Sequence, residues 1–393
     1  MTFIGIILGA IAGILPGIHP NLINTLLIVF YSNTHLSFLT PLNVSIIIFV
    51  MAMTNVIISF IPSTFLGVPD ADTALSLLPS HQYLLEGKGH EAVLLTLIGS
   101  LTSLLLTIIS TPLFALFVKL TYSFIKIHIP FILIIIALSL IIREKSKMMA
   151  LYTFIASGIL GIITLNNQLI KEPLLPLLTG LFGMPTLIMS IFNKEEVRAQ
   201  QITFPKLEKK KFIKASLISL CTGSFFSFLP SLGPSQAAVF TSLITKETSR
   251  EAYLILMGSL NTVGMIISII TLYLINKSRN GAVVAISQMI PEMNLKFLLF
   301  FIGITLLLSY PVTLLTIVVS RKFSVLITKV NYQVISILIV ISITILAAMI
   351  SGSIGLLVLV TSTAVGFMPL LKNMNRNHLM GCLMLSTIML YIM

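Results

Sequence analysis

Two short stretches place prolines where apolar helices should run unbroken. They are "GILPGIHPN" (13–21) and "SFLPSLGPS" (227–235), each with prolines four residues apart: Pro16 and Pro20, then Pro230 and Pro234. A proline inside a helix offers no N–H to the carbonyl four residues back, so these four release the carbonyls of Ala12, Pro16, Phe226 and Pro230. A bare backbone group in hydrocarbon is costly, so such carbonyls need water, another helix, a cation or a solute. Beyond each break the helix resumes, with Asn21 and Ser235 as N-caps, and the free N–H groups and dipole of that first turn suit a carboxylate or a phosphate. Freed carbonyls in the same break suit Na⁺. The substrate residues expected from this chemistry are Pro16, Gly17, His19, Pro20 and Asn21 in the first break. Pro230, Ser231, Gly233, Pro234, Ser235 and Gln236 form the second set. His19 can titrate near neutral pH or donate to an anion, although Gly233 stands at its counterpart. The competing reading is packing alone, because prolines kink membrane helices and "GIILGAIAG" is a small-xxx-small stripe.

Both aspartates of the chain, Asp70 and Asp72, lie in "FIPSTFLGVPDADTALSLLP" (60–79). An acid at membrane depth marks an ion or proton path, and Thr64, Asp70, Asp72 and Thr73 offer hard oxygen ligands for Na⁺. The alternative is a capped helix starting near Thr73 in an aqueous loop. Asn55, Asn261 and Thr262 sit inside apolar runs and either line a cavity or join helices by hydrogen bonds. These seven residues are the expected ion-coupling set, with Na⁺ or H⁺ as the coupling ion and no other cofactor.

The elements that must hold these residues are membrane helices. The 393 residues are 56% hydrophobic and 9% charged with mean hydropathy +1.07, outside the range of soluble domains. Apolar runs able to cross about 30 Å of hydrocarbon fall near 3–30, 42–61, 92–118, 128–142, 148–165, 174–192, 213–229, 252–275, 295–319, 332–350, 353–371 and 379–393. The first can be one tilted span or a re-entrant hairpin. The net charge of +12 reads as basic loops retained in the cytoplasm rather than as a nucleic-acid surface. The densest loop, 193–214, is expected to face the cytoplasm, together with 143–147, Arg321, Lys322, Lys329, Lys372 and Arg376. The start "MTFIGIILG" lacks a basic n-region, so the first span is expected to stay. Cys221 and Cys382 sit in apolar surroundings and suggest neither a disulfide framework nor a metal site.

The stretch 5–21 aligns without gaps on 219–235, pairing Gly9 with Gly223, Pro16 with Pro230 and Pro20 with Pro234. A second, weaker match pairs "HEAVLLTLIGSL" (90–101) with "REAYLILMGSL" (250–260). The organisation expected is a first transmembrane repeat at 1–192, a basic linker at 193–214 and a second repeat at 215–393. Broken segments at matching places in two halves point to a secondary transporter with its site between the repeats. The fold class is all-α: a polytopic membrane protein of ten to twelve spans with an internal two-fold repeat, inverted in the preferred reading, and broken or re-entrant helices.

Some chemistries are missing. No GxxxxGK[ST] stretch is present, and "HEAVL" (90–94) has Leu94 where a zinc protease needs its second histidine. No GxSxG elbow occurs. An intramembrane enzyme would need Asp70 and Asp72 to hold Mg²⁺ against a diphosphate. A lipid-phosphate flippase is the second transport reading, since helix N-termini accept phosphate as readily as carboxylate.

The stretches 5–20, "LPSLGPSQAA" (229–238) and "GVPDADTALSLLPSHQYLLEGKGHEAV" (67–93) resemble the TctA family, the large membrane subunit of tripartite tricarboxylate transporters. The sequence departs from that pattern at His19, Asp70 and Ser76–Leu77. The resemblance implies a helical, ion-coupled permease for citrate-like anions whose Pro-Gly motifs form the substrate and ion region. It also implies partners, a small membrane subunit and an extracytoplasmic binding protein, beside stand-alone archaeal members.

Overall fold

The structure, a computed structural model, describes residues 1–15, 20–33, 40–68, 73–170, 172–192, 198–205, 208–227, 233–245, 249–278, 280–328 and 332–392. Among them the secondary structure is helical, with no strand. The first helices are α1 (Thr2–Ile14), α2 (Pro20–Asn33), α3 (Pro41–Ile58) and α4 (Phe60–Leu66). A 3₁₀ turn at Ala74–Ser76 leads into α5 (Leu77–Leu85), α6 (Gly89–Arg143) and α7 (Lys147–Leu165). One rod follows, made of α8 (Leu174–Leu178), a π-helical turn at Thr179–Gly183 and α9 (Met184–Phe192). Beyond the linker come α10 (Lys209–Ser227), α11 (Pro234–Thr245), α12 (Arg250–Ile275), α13 (Gly281–Met289) and α14 (Leu295–Ile327). Finally α15 (Tyr332–Leu371) and a 3₁₀ turn at Arg376–Met380 precede α16 (Gly381–Ile392).

Local sequence sets several boundaries. Thr40 accepts from Asn43 N at 3.2 Å with Pro41 in the first turn of α3, and the side chains of Asn280 and Asn294 cap α13 and α14 in the same manner. Gly352, at φ 71 and ψ −167, divides α15 into two legs where a residue with a side chain would be strained. Those legs clasp the 174–192 rod: Gln333 Nε2 reaches Ile191 O at 3.4 Å, Ser351 Oγ reaches Glu172 O at 3.1 Å, and Gly366 then packs on Leu181 and Pro185.

Among the described residues seven helical segments are long and apolar enough to cross a bilayer: Pro41–Leu66, Gly89–Thr121, Lys147–Leu165, Leu174–Phe192, Arg250–Ile275, Leu295–Ile327 and Gln333–Leu371. The expected runs 3–30, 128–142, 213–229 and 379–393 are not among them. Runs 92–118 and 128–142 belong to one helix, α6, in which Pro112 and Pro130 are the places where its direction can bend. The segments of α3–α4 and α12 are buried almost all round, whereas those of α14 and α15 expose apolar side chains such as Leu307, Met349 and Leu357. Helices apolar on every side and buried form the centre of the bundle, and outward apolar faces suit lipid.

Contacts at glycines fix the helix directions. Gly5 lies against Val50, Gly9 against Thr54 and Gly13 against Ile58, so α1 and α3 run side by side in the same sense. The link from α2 to α3 reaches at most about 28 Å. If α2 carried straight on from α1, it would end roughly 50 Å past the start of α3. The two helices are therefore legs of a re-entrant segment, each about 20 Å long and too short to cross. The second half repeats this plan. Gly223 meets Leu260 and Val263, and Gly264 meets Ser227 and Pro234, so α10 runs along α12 and α11 cannot be its continuation.

These contacts make α3 and α12 counterparts and place "VIIS" (56–59) opposite "MIIS" (265–268). The stretches 90–101 and 250–260, by contrast, are contact partners. Arg250 Nη1 meets Glu86 Oε1 at 2.7 Å and Tyr83 donates to Glu251 Oε1 at 2.9 Å, so α6 and α12 begin together. Further along, Ser100 Oγ donates to Gly258 O and Ser259 Oγ to Gly99 O, each at 3.0 Å. This reciprocal pair is an isologous contact between parallel helices.

Helix α14 runs with α3, as Phe49 stacks on Phe301 at 4.9 Å and Phe65 on Phe323 at 5.9 Å. His90 Nδ1 lies 2.9 Å from Ser320 Oγ, which puts the start of α6 beside the end of α14. Phe65 also abuts Gly89. Hence α6 and α12 start where α3–α4 and α14 finish. As α12 packs along α3, it runs opposite to it, and the two re-entrant units are inverted with respect to one another.

Candidate functional site: two re-entrant breaks

Each break ends on a proline that opens the outgoing leg. Pro20 is the first residue of α2 and Pro234 the first of α11, positions where the missing N–H is no loss. The carbonyl of Gly233 accepts from Ala237 N at 3.2 Å, which starts the α11 ladder. Pro20 and Ser235 are buried, and the next turn of α2 brings in Asn24, 2% exposed, whose amide oxygen and nitrogen both lack a partner. Pro16, Gly17, His19, Pro230 and Ser231 lie outside the described residues, as do Asp70, Asp72 and the side chain of Gln236.

Contacts between the halves are swapped. Asn21, in the first turn of α2, presses its amide on Gly281 at the start of α13, where a Cβ would collide with it. On the other side α11 packs against the 3₁₀ turn Ala74–Ser76, whose first residue follows Thr73. Each outgoing leg thus rests on the short segment that follows the long helix of the opposite half. Thr73 is buried, and its carbonyl takes both Ser76 N at 2.9 Å and Ser76 Oγ at 2.7 Å.

The long helices carry the other expected residues. Asn55 lies between Thr54, which touches Gly9, and Ile58, which touches Gly13, and its Nδ2 is buried without a partner. Its counterpart in α12 is Gly264, which faces Pro234 and Ser227, so the same place holds an amide in one half and open space for the hairpin in the other. Asn261 is 3% exposed and neither of its amide atoms is bonded. Thr262 Oγ1 is satisfied by Gly258 O at 3.2 Å in its own helix, the ordinary outcome for a membrane threonine. Thr64 is buried in α4 next to Ser63, whose hydroxyl has no partner. The elements holding these residues converge, since α4 and α12 both pack on the Ala74–Ser76 turn and α3 packs on α12. Among the described residues no group of three His, Cys, Asp or Glu could hold a metal ion.

An unpaired buried amide costs about 1–3 kcal/mol. Asn24, Asn55 and Asn261 are therefore places where the surrounding helices leave a buried amide without a full set of partners.

A third polar cluster has no forewarning in the sequence. The 3₁₀ turn Arg376–Met380 is buried, and His378 Nε2 lies 3.0 Å from Glu144 Oε2, which also accepts from Asn375 N. Burial pushes the Glu144 carboxyl upward, but hydrogen bonds from His378, Asn375 and Lys145 outweigh it and hold it below the usual range. Arg376 Nη1 donates to Thr186 Oγ1 at 2.9 Å, next to the π-helical turn. Arg376, in a loop expected to face the cytoplasm, is itself 7% exposed. Only neighbours from distant parts of the chain enclose it.

The family model for the tripartite tricarboxylate transporter TctA family matches residues 1–381. The chain belongs to the TctA family. It is also similar to an uncharacterized protein of Methanocaldococcus jannaschii, 31% identical over 340 residues, which covers 85% of this chain and 83% of that one. No solved structure matches it. TctA proteins are transport proteins, and with its repeated apolar helices this TctA chain is a multi-pass membrane permease of tricarboxylate-transporter type.

Proposed function

We propose that the protein is an ion-coupled secondary carrier of a di- or tricarboxylate, working by alternating access between its two inverted re-entrant units. The observation that supports this most is the swapped seating of the two hairpins, α2 on α13 and α11 on the 73–76 turn. Rocking one unit against the other changes both seats at once and exposes the ground between them to alternate sides. The outgoing legs present N–H donors of their first turns to a carboxylate, from Asn21 onward and from Ser235 onward. The unpaired amides of Asn55 and Asn261 and the carbonyls released at the prolines are the ligands proposed for Na⁺, with Thr64, Asp70, Asp72, Thr73 and Thr262 around them. The basic face, with 198–205, Arg250 and the Arg321–Lys322 end of α14, is taken as cytoplasmic by the positive-inside tendency. A small membrane subunit and a binding protein remain proposed partners, drawn from the tripartite description of the family.

Flux into proteoliposomes tests the reading. Labelled citrate, succinate and malate should accumulate under an inward Na⁺ or proton gradient and stop when that gradient is collapsed. Equal leakage of all three with and without either gradient would remove the carrier assignment.

A further inference from the structure

Among the described residues the guanidinium of Arg376 has no counter-charge. Of its donors, Nη1 reaches Thr186 Oγ1 at 2.9 Å, Nε is buried with no partner, and no carboxylate pairs with it among the described residues. The acid nearest along this turn, Glu144, is already held by His378 and by Asn375 N. A buried arginine without an acid is costly in a membrane protein, and it persists where something else supplies the negative charge.

Its position says what that is. The turn Arg376–Met380 is five residues long and packs on α11, the outgoing leg of the second break, and on the π-helical turn Thr179–Gly183. Any contact of so short a turn with α11 lies within four residues of Arg376. π-helical turns inside α-helical rods occur often at functional sites, and this one runs directly into the helix that carries Thr186. A planar guanidinium presents two parallel N–H groups that fit both oxygens of one carboxylate.

We infer that Arg376 is the cationic partner of one carboxylate of the carried anion, received beside α11 with Thr186 fixing the guanidinium plane. This deepens the carboxylate-carrier reading and rests on it. The anion then has a side-chain charge beside α11, and an anion with two or three carboxylates keeps others free for donors elsewhere in the site.

Purified full-length protein is compared with Arg376→Met and Arg376→Lys in two measurements, thermal unfolding in detergent with and without citrate or succinate, and uptake of the same anions in proteoliposomes. Arg376→Met should melt at or above the unliganded wild-type temperature, because an unpaired buried charge has been replaced by an apolar chain of similar length. It should also lose the upward shift caused by citrate and show a KM for uptake raised at least tenfold. Arg376→Lys, with charge but no fork, should fall between. An arginine that only holds the turn together predicts the reverse, a lower melting temperature without anion and an unchanged KM, and that result overturns the inference. Should Arg376→Met fail to fold, Arg376→Lys decides: a wild-type KM overturns the inference and a raised one supports it. Wild-type protein that neither shifts with nor carries either anion overturns the carboxylate reading itself, a separate failure from a responsive wild type whose variants respond equally.

Discussion

Asn21 and Gly281 act as one unit. The amide occupies the space where any other residue would carry its Cβ, so Gly281→Ala pushes Asn21 off the start of α13. Overpacking of this kind costs about 1–3 kcal/mol. The variant should stay inserted with a modestly lower melting temperature, while initial uptake of citrate in proteoliposomes drops tenfold or more. Asn261 allows the opposite prediction. Its unpaired amide costs stability, so Asn261→Leu should raise the unliganded melting point, by the equivalent of about 1–3 kcal/mol, and abolish gradient-driven accumulation. Glu144 gives a pH test. Its folded carboxyl is held low, so the stability it contributes is present above the ordinary glutamate range and disappears as pH falls through the folded value. Glu144→Gln should therefore be less stable than wild type near pH 7, by about 1 kcal/mol for a lost charge-assisted hydrogen bond. The two melting curves should converge as the pH falls below the lowered value of the folded carboxyl.

Among the elements, α6 and α12 form the tightest joint, with the Gly99–Ser100 and Gly258–Ser259 pairs facing each other across it. A side chain at Gly99 would strike Ile255 backbone and one at Gly258 would strike that of Thr96, so neither helix can yield without opening the seam. Gly258→Val should reduce the yield of monodisperse protein more than the same change at Gly303, where nothing lies within 4 Å of the added carbon. The re-entrant pairs are held differently, their incoming legs packed through Gly5, Gly9 and Gly13 on α3 and through Gly223 on α12. Their geometry is directly testable. In a variant with Cys221 and Cys382 replaced by serine, single cysteines at Thr2 and Thr40 should be labelled by an impermeant maleimide from the same side. Labelling from opposite sides would mean that residues 3–30 cross the membrane once.

The whole molecule is two inverted units joined at a central seam. Inversion places the start of α1 and the start of α10 on opposite faces, and it gathers Arg250, Lys209, Arg321 and Lys322 on one of them, as the shared start of α6 and α12 and the His90–Ser320 contact require. Even when duplicated segments are related by sequence, inversion lets the outgoing leg of each hairpin touch the other half while the hairpin packs along the long helix of its own. In the proposed mechanism the swapped contacts couple the two breaks, so that a change in one seat is felt in the other. Joining the units by a covalent bridge should therefore stop transport at both breaks. A cysteine pair at Glu86 and Arg250, whose long side chains meet at their tips at 2.7 Å, bridged by a short bis-methanethiosulfonate reagent, is expected to block uptake and to recover it with reductant. If the bridged protein transports at the normal rate, the seam does not move.

Composition and spacing determined the environment, the helical class, the two proline breaks and their common offset, because hydrophobicity and the missing proline N–H are properties of the residues themselves. The stretch 5–21 was readable against 219–235 for that reason. The likeness of 56–59 to 265–268 is equally present but too short to stand out by itself; the contacts of Gly9 and Gly223 with those helices make it a correspondence. Tertiary structure alone decided that 3–30 turns back, since a run of apolar residues has the same hydropathy whether it crosses or returns. It decided also that 90–101 and 250–260 are neighbours rather than counterparts. Above all it decided that Arg376 is enclosed: local sequence counts a charge, whereas burial depends on residues 144, 186 and 234–245, brought around it only by packing.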